Sequence, residues 1–416
     1  MLLGSLKSLN KVITLRNWIP SLSSVSRTTV TRQPYANYYT HQKVSDDENK
    51  VVVDLRTDTL TEPDSEMRNA MVNAKIGDDV LDEDPTVKEL ERTAAAMLGK
   101  EAGLYVLSGT MGNLLSVMCH CNHRGEEMLL GDQSHIFIHE QGGAAFLGGI
   151  HPRPVTNLPD GTFDLQELEE KIRPDGDFHA PKTKLICLEN SHNRCGGAVL
   201  SKKFLDDVGF IAKTHNIAVH MDGARLMNAA LASKRDAADI LQHCDTVSLC
   251  LSKGLGAPVG SVIAGPQTFI DSARRLRKAL GGGIRQGGIL AAAGLIALDS
   301  GVKRLHIDHA NAKYLATGLA NLKHPLLSVD VDNTETNLVY LKINGAKPET
   351  VLNMVNQITE NEKEKLGHGI QIKAFPSSKD KIRLVAYKHI TTELIDLAVK
   401  KFEYIANVLS ESPEGK

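Results

Sequence analysis

Past about residue 50 the chain alternates short β-branched runs with longer amphipathic stretches. Runs at Leu104 to Leu107, Lys184 to Leu188, Ile217 to Met221, Thr246 to Leu251 and Val259 to Ala264 predict strands, and patterns such as Pro85 to Leu98 and Ser201 to His215 predict the helices between them. That order is α/β. After Ser300 the pattern changes to a long helix, Val302 to Leu322, a strand, Asn337 to Ile343, a helix, Lys347 to Thr359, a strand, Lys381 to Ala386, and a final helix, Thr391 to Leu409. A second, smaller domain is therefore expected at 301–416, after an N-terminal arm and large domain at 46–300. No fixed-period repeat is evident, and the one biased stretch is the Gly/Ala-rich Gly281 to Gly294.

The first 45 residues follow another rule. They contain no Asp or Glu, while Lys7, Lys11, Arg16, Arg27, Arg32 and Lys43 stand among many Ser and Thr residues, and Leu2, Leu6, Leu9 and Ile13 share one helical face. This is the composition of a mitochondrial transit segment, with a disordered cytosolic arm as the alternative. Asp46-Asp47-Glu48 reads as the linker.

Composition narrows the function classes. The longest apolar run, Gly288 to Leu298, is well short of the roughly 20 residues of a membrane-crossing helix, so no membrane association is expected. With 48 Lys+Arg against 50 Asp+Glu and 4% aromatic residues, neither the field nor the stacking platforms of a nucleic-acid binder are present. The six cysteines are scattered and read as thiols in a reducing compartment. Cys119 and Cys121 lack a second ligand pair at zinc-site spacing, and no metal is expected.

Phosphate-loop, serine-esterase and zincin motifs are absent. Gly254-x-Gly256-x-x-x-Gly260 misses the dinucleotide spacing by one residue and leads into a strand rather than a helix. What remains is a set of polar residues just past predicted strands, where open α/β sheets place ligands. Ser108-Gly109-Thr110 at a helix start suits a phosphate or is an ordinary cap. Asp222 and Arg225 are a ligand-binding pair or an internal ion pair. Lys253 is delivered by an apolar strand onto Gly-rich backbone, where a desolvated amine can attack a carbonyl. A Schiff-base lysine, an acid for a pyridine nitrogen and an anion site together meet the needs of pyridoxal 5'-phosphate (PLP).

Six segments carry a family resemblance: Asp54-Leu-Arg-Thr-Asp-Thr, Gly77-Asp-Asp-Val with Glu-Asp-Pro-Thr-Val, Glu189-Asn-Ser-His192-Asn, His220-Met-Asp-Gly-Ala-Arg225, Ser252-Lys-Gly-Leu-Gly-Ala-Pro-Val-Gly and Gly281-Gly-Gly-Ile-Arg-Gln. From about Val51 onward the chain resembles the low-specificity threonine aldolases. The resemblance implies fold type I of the PLP enzymes: a large domain with a mixed, mostly parallel sheet flanked by helices, and a smaller C-terminal α+β domain. It implies retro-aldol cleavage of threonine and allo-threonine to glycine and acetaldehyde. It makes Lys253 the cofactor lysine, Asp222 the partner of the pyridine nitrogen, Ser108, Gly109 and Thr110 the phosphate site, and His135 the imidazole stacked on the ring. Arg225, Arg383 and Thr57 take the substrate carboxylate positions, and His192 stands near the substrate β-hydroxyl, where it or a water it holds is the candidate base for the hydroxyl proton. Lys278 and Arg285 correspond to residues that reach a neighbouring subunit's site in a homotetramer. The sequence departs from the family at Thr57, where serine is commoner, at Leu81-Asp82, at His139, and at Tyr387 and His389. Transamination, racemisation or β-elimination on the same cofactor, or a non-catalytic paralogue, remain open alternatives.

Overall fold

The computed structural model describes residues 50–411; the transit-segment reading of Met1 to Ser45 lies outside the described residues. In chain order the strands are β1 (Lys50–Asp54), β2 (Ala102–Val106), β3 (Glu126–Gly131), β4 (His151–Val155), β5 (Lys182–Glu189), β6 (Ala218–Gly223), β7 (Thr246–Cys250), β8 (Ser261–Gly265), β9 (Leu327–Val329), β10 (Leu338–Ile343), β11 (Gly369–Lys373), β12 (Phe375–Ser378) and β13 (Lys381–Val385).

A seven-stranded sheet has the order β2-β8-β7-β6-β5-β3-β4. Its strands run parallel except β8, which is antiparallel to both β7 and β2. The reversal follows from chain length, because the link from Cys250 to Ser261 is too short for a crossover helix, which takes about a dozen residues. The carboxyl ends of β2, β3, β5, β6 and β7 consequently share one edge. Alternate residues feed two cores. Leu129, Ile186, Val219 and Val247 pack with Phe204, Leu205, Val208 and Ile211 of the helix Lys202–Thr214, while Met128, Leu130, Leu185 and Cys187 pack with Val117 and Ile136 on the other face. Burial on both faces explains why these strands read as near-continuous apolar runs.

Strands β3 and β4 escape the hydrophobic pattern for identifiable reasons. β3 opens on two buried glutamates, of which Glu127 accepts from Arg173 Nε (3.0 Å) and Thr183 Oγ1 (2.8 Å). β4 contains Pro152 and Pro154 and is an edge strand, where a missing N–H can face outward. The expected helix Lys347 to Thr359 spans Pro348–Asn356, and a separate helix, Glu360–Leu366, follows it, capped by Thr359, which accepts from Glu362 N–H.

Strands β9, β10, β12 and β13 form an antiparallel sheet of order β12-β13-β10-β9. β1 pairs parallel with β11, so the start of the described chain is stitched to its C-terminal part. The helix Gly288–Ile296 continues through a π turn, Ala297–Gly301, into Val302–Asn321, and position 300 falls inside that turn. At Gly301 a Cβ would lie 2.4 Å from the Leu255 carbonyl oxygen. Only glycine lets this helix press against the loop that carries Lys253. Among the described residues no helix is long and apolar enough to cross a membrane.

Candidate active site

Lys253 follows β7 on the shared strand edge. Its carbonyl is pinned by Thr61 Oγ1 (2.8 Å) and by Gly256 N–H (2.9 Å), which fixes the half-buried side chain's point of departure. Its ammonium acts electrostatically on Asp58, Asp222 and His135. Asp222, the register partner of both Glu189 and Ser248, is buried at the end of β6. Its carboxylate accepts from Ala224 N–H (3.0 Å) and Asn113 Nδ2 (3.0 Å). Burial and the nearby Glu189 charge push the Asp222 carboxyl up, against His135 and Lys253, which pull it back. A further positive charge beside it would be strongly favoured.

Between β2 and the helix Gly109–His120, Ser108 is the N-cap and accepts from Met111 N–H (3.1 Å). The first intrahelical bond runs from Gly112 N–H to Ser108 O (3.0 Å), which leaves the amides of Gly109 and Thr110 for an anion. This helix lies tight on β7. A Cβ at Gly109 would come within 2.5 Å of Cys250 Sγ, and one at Gly112 within 2.4 Å of Ser248 Oγ. The two glycines thus bring the helix start close to the strand that delivers Lys253.

His135 is partly exposed. Its Nδ1 lies 2.9 Å from Glu140 Oε1, and its backbone N–H donates to Glu189 Oε2 (2.7 Å). Burial disfavours the charged ring, but the Glu140 hydrogen bond and the Asp222 charge outweigh it and raise the His135 pKa. His139 sits beside it with ring centroids 5.5 Å apart, tilted rather than stacked.

The arginines are tied together by residues far away in sequence. Arg225, buried, makes a bidentate pair with Asp58 through Nε (2.8 Å) and Nη2 (2.7 Å). Asn193 Oδ1 accepts from both Arg225 Nη1 (3.3 Å) and Arg383 Nη1 (2.9 Å), and Tyr340 Oη donates to the Asn193 carbonyl. Arg383 also reaches the Arg56 carbonyl (3.1 Å), close to Thr57, which caps the short turn Asp58–Leu60. Burial alone would raise the Asp58 carboxyl, but Arg225 overrides it and holds it at about 2, helped by Lys253 and Asn337.

The structure therefore gathers Lys253, Asp222 and His135, sets the Ser108–Thr110 turn against the strand that carries Lys253, and joins Arg225, Arg383 and the segment of Thr57. The His192 ring is buried, with neither nitrogen hydrogen-bonded among the described residues, beside Gly161 and Leu200. Lys278 and Leu81 are exposed, and Arg285 pairs with Asp78 (2.9 Å); no hydrogen bond or ion pair among the described residues links Lys278 or Arg285 to Lys253. Tyr387 is buried with its hydroxyl pushed up to about 12 and lies edge-on to His389. Pattern reasoning passed over Asp58, Asn113, Glu140 and Asn193. Asp58 and Asn193 stand inside the quoted motifs, but their partners are distant in the chain.

This donor set meets the chemistry PLP requires: an amine, a buried carboxylate on which it acts, a helix start where a Cβ is sterically excluded, and a partly exposed imidazole. A helix-flanked, mostly parallel sheet with this site on its carboxyl edge defines the fold-type-I PLP architecture. The solved structure of Leishmania major threonine aldolase matches it with a TM-score of 0.65 at 18% identity, covering 86% of this chain and 98% of that one. The chain also matches the beta-eliminating lyase family model over residues 54–344. It is 46% identical over 360 residues to low-specificity L-threonine aldolase 1 of Arabidopsis thaliana, covering 86% of this chain and 98% of that protein. With the low specificity L-threonine aldolase of Escherichia coli strain K12 the identity is 44% over 292 residues, 70% of this chain and 85% of that one. The chain belongs to the low-specificity L-threonine aldolase family.

The Asp58 and Arg225 pair yields a prediction with a definite sign. Because the folded Asp58 carboxyl lies below its ordinary 3.8, the pair's contribution is fully present above that value and is lost as pH falls toward about 2. Asp58→Asn strands a buried guanidinium and should cost about 3–5 kcal/mol in urea unfolding at neutral pH. The penalty should shrink on acidification below about pH 4; one that is constant from pH 7 to pH 3 would contradict the assignment.

Proposed function

We propose that this protein uses PLP to cleave the Cα–Cβ bond of L-threonine and L-allo-threonine, releasing glycine and acetaldehyde. The observation that carries the reading is the gathering of Lys253, Asp222 and His135 on a strand edge whose neighbouring arginines, Arg225 and Arg383, share Asn193. The family membership supports the same reaction.

Bound there, PLP supplies a conjugated ring that takes up the electron pair released as the Cα–Cβ bond breaks. Lys253 provides the amine that tethers the cofactor's aldehyde carbon, and the amides of Gly109 and Thr110, with the Ser108 and Thr110 hydroxyls, hold its phosphate. Asp222 would hold a proton on the pyridine nitrogen, and His135 would lie against the bound cofactor. Arg383, with Arg225 behind it and Thr57 beside it, would hold the substrate carboxylate and so orient the Cα–Cβ bond for cleavage. A histidine takes the β-hydroxyl proton. The family resemblance points to His192 for this step, but that ring is enclosed, and the partly exposed His135 is the better-placed acceptor.

Borohydride reduction of the loaded protein followed by peptide mapping should label Lys253. Lys253→Ala should lose roughly a thousandfold or more of the rate of aldehyde release from threonine and allo-threonine. Keto-acid formation without aldehyde would reverse the choice of reaction.

A homotetramer in which Lys278 and Arg285 serve a neighbour's site belongs to the same reading, supported by the exposure of both side chains. Mixed oligomers of Lys253→Ala and Arg285→Ala chains should regain part of the activity each lacks, and no regain would speak against shared sites. The acid-free composition of Met1 to Ser45 supports a mitochondrial destination. Uptake and shortening of the full chain by isolated mitochondria is expected, and exclusion from them would overturn it.

A further inference from the structure

A largely buried polar chain runs up to Asp222, and its other members have no part in the reaction described above. Its members are His120 and Asn113 on the helix Gly109–His120, Thr246 on β7, His220 and Asp222 on β6, and Glu140 after the short helix His135–Ile138. Asn113 Nδ2 donates to Glu140 Oε1 (2.9 Å) and Asp222 Oδ2 (3.0 Å); burial pushes both carboxyls up, and the hydrogen bonds from His135 and Asn113 pull Glu140 back. That orientation aims Asn113 Oδ1 at His220 Nε2 (3.1 Å), which must donate. His220 Nδ1 then accepts from Thr246 Oγ1 (2.9 Å), whose oxygen in turn accepts from His120 Nε2 (2.8 Å). Burial holds His220 down to about 3 and His120 to about 4, so both are neutral and can fill these one-donor, one-acceptor roles. Every donor in the chain points toward the two carboxylates.

Glu140 Oε1 accepts a second time, from His135 Nδ1 (2.9 Å). The His135 main chain is held separately through Glu189 (2.7 Å), so Glu140 acts on the ring and not on the fold of the segment. The charged and titratable groups facing His135 are Glu140 and His139 from its own segment, Glu189 from β5, Asp222 from β6 and Lys253 after β7. With Nδ1 committed as donor, the neutral ring carries its lone pair on Nε2.

We propose that Glu140, locked to Asp222 through Asn113, is a positioning residue that keeps the His135 proton on Nδ1 and leaves Nε2 as the atom that accepts the substrate β-hydroxyl proton. The inference rests on the aldolase reading above. In the step, the substrate O–H bond breaks and an N–H bond forms at Nε2. The O–H electron pair becomes the second bond of the aldehyde C=O as the Cα–Cβ bond breaks, PLP when bound would supply the sink for the pair left on Cα, and Glu140 stabilises the imidazolium produced. Glu140 touches neither substrate nor cofactor; it acts through His135, as an orienting carboxylate acts through a catalytic histidine.

The test compares native protein, Glu140→Gln and Glu140→Asp by imidazole nitrogen NMR of the full chain with and without PLP, the His135 signal being identified by its loss in His135→Asn. In the native protein His135 should show the Nδ1–H form when neutral. In Glu140→Gln its titration should move toward acid by about one pH unit or more. The same variant should lose about a hundredfold in kcat for threonine with KM changed by less than about twofold, and the acid limb of its pH profile should follow the moved titration. Glu140→Asp, which keeps the charge, should restore the titration and part of kcat. A His135 titration unmoved in Glu140→Gln, or a native proton on Nε2, overturns the role of Glu140. Absence of aldehyde release from native protein whose His135 still responds to Glu140 overturns the aldolase reading and the proton step with it.

Discussion

Asp222 lies at the end of β6 with 2% of its surface exposed, and a carboxylate that deep is tolerated only where donors and cations replace lost water. The surrounding structure answers that demand from four directions: Ala224 N–H from its own turn, Asn113 from the helix after β2, Lys253 from the loop after β7 and His135 from the segment after β3. Each of these arrives because the parallel strands end on one edge. The glycines at 109, 112 and 301 then allow the flanking helices to approach as closely as the arrangement needs. The antiparallel β8 follows from the same loop: the chain that presents Lys253 turns back at once and has no length for a crossover.

A second buried charge system ties the periphery to this centre. Asp58 belongs to the segment after β1, Arg225 to the turn after β6, Asn193 to the loop after β5 and Arg383 to β13 of the antiparallel sheet. Buried ion pairs add little net stability but are costly to break, so this set acts chiefly as a register pin between distant segments. It fixes where the Arg383 guanidinium stands relative to the turn after β6. The pairing of β1 with β11 reinforces the same closure, since it anchors the segment carrying Thr57 and Asp58 to the C-terminal part of the chain.

Charges near Lys253 alternate in sign. Asp58 and Asp222 are balanced by Arg225, Lys253 and His135, and the His135 ring is in turn held by Glu140. Such alternation lets ionised groups persist without water and holds donors in fixed directions before any substrate arrives, which is the condition for electrostatic preorganisation.

How much of this was legible beforehand differs by element. Strands buried on both faces announce themselves as apolar runs, so β2, β5, β6, β7 and β8 were readable to within a few residues, whereas β3 and β4 were hidden by buried glutamates and edge prolines. The chain alone determined the α/β order, the lysine thrust from an apolar strand onto glycines and the motifs of its family, because each of these is a local pattern. Tertiary structure alone decided that Arg225 is held by Asp58, that Glu140 holds His135, that the His192 ring is enclosed and that β1 joins β11. The reason is physical: hydrophobic periodicity records which face of an element is buried, but a hydrogen bond between residues far apart in the chain exists only once folding has brought them together.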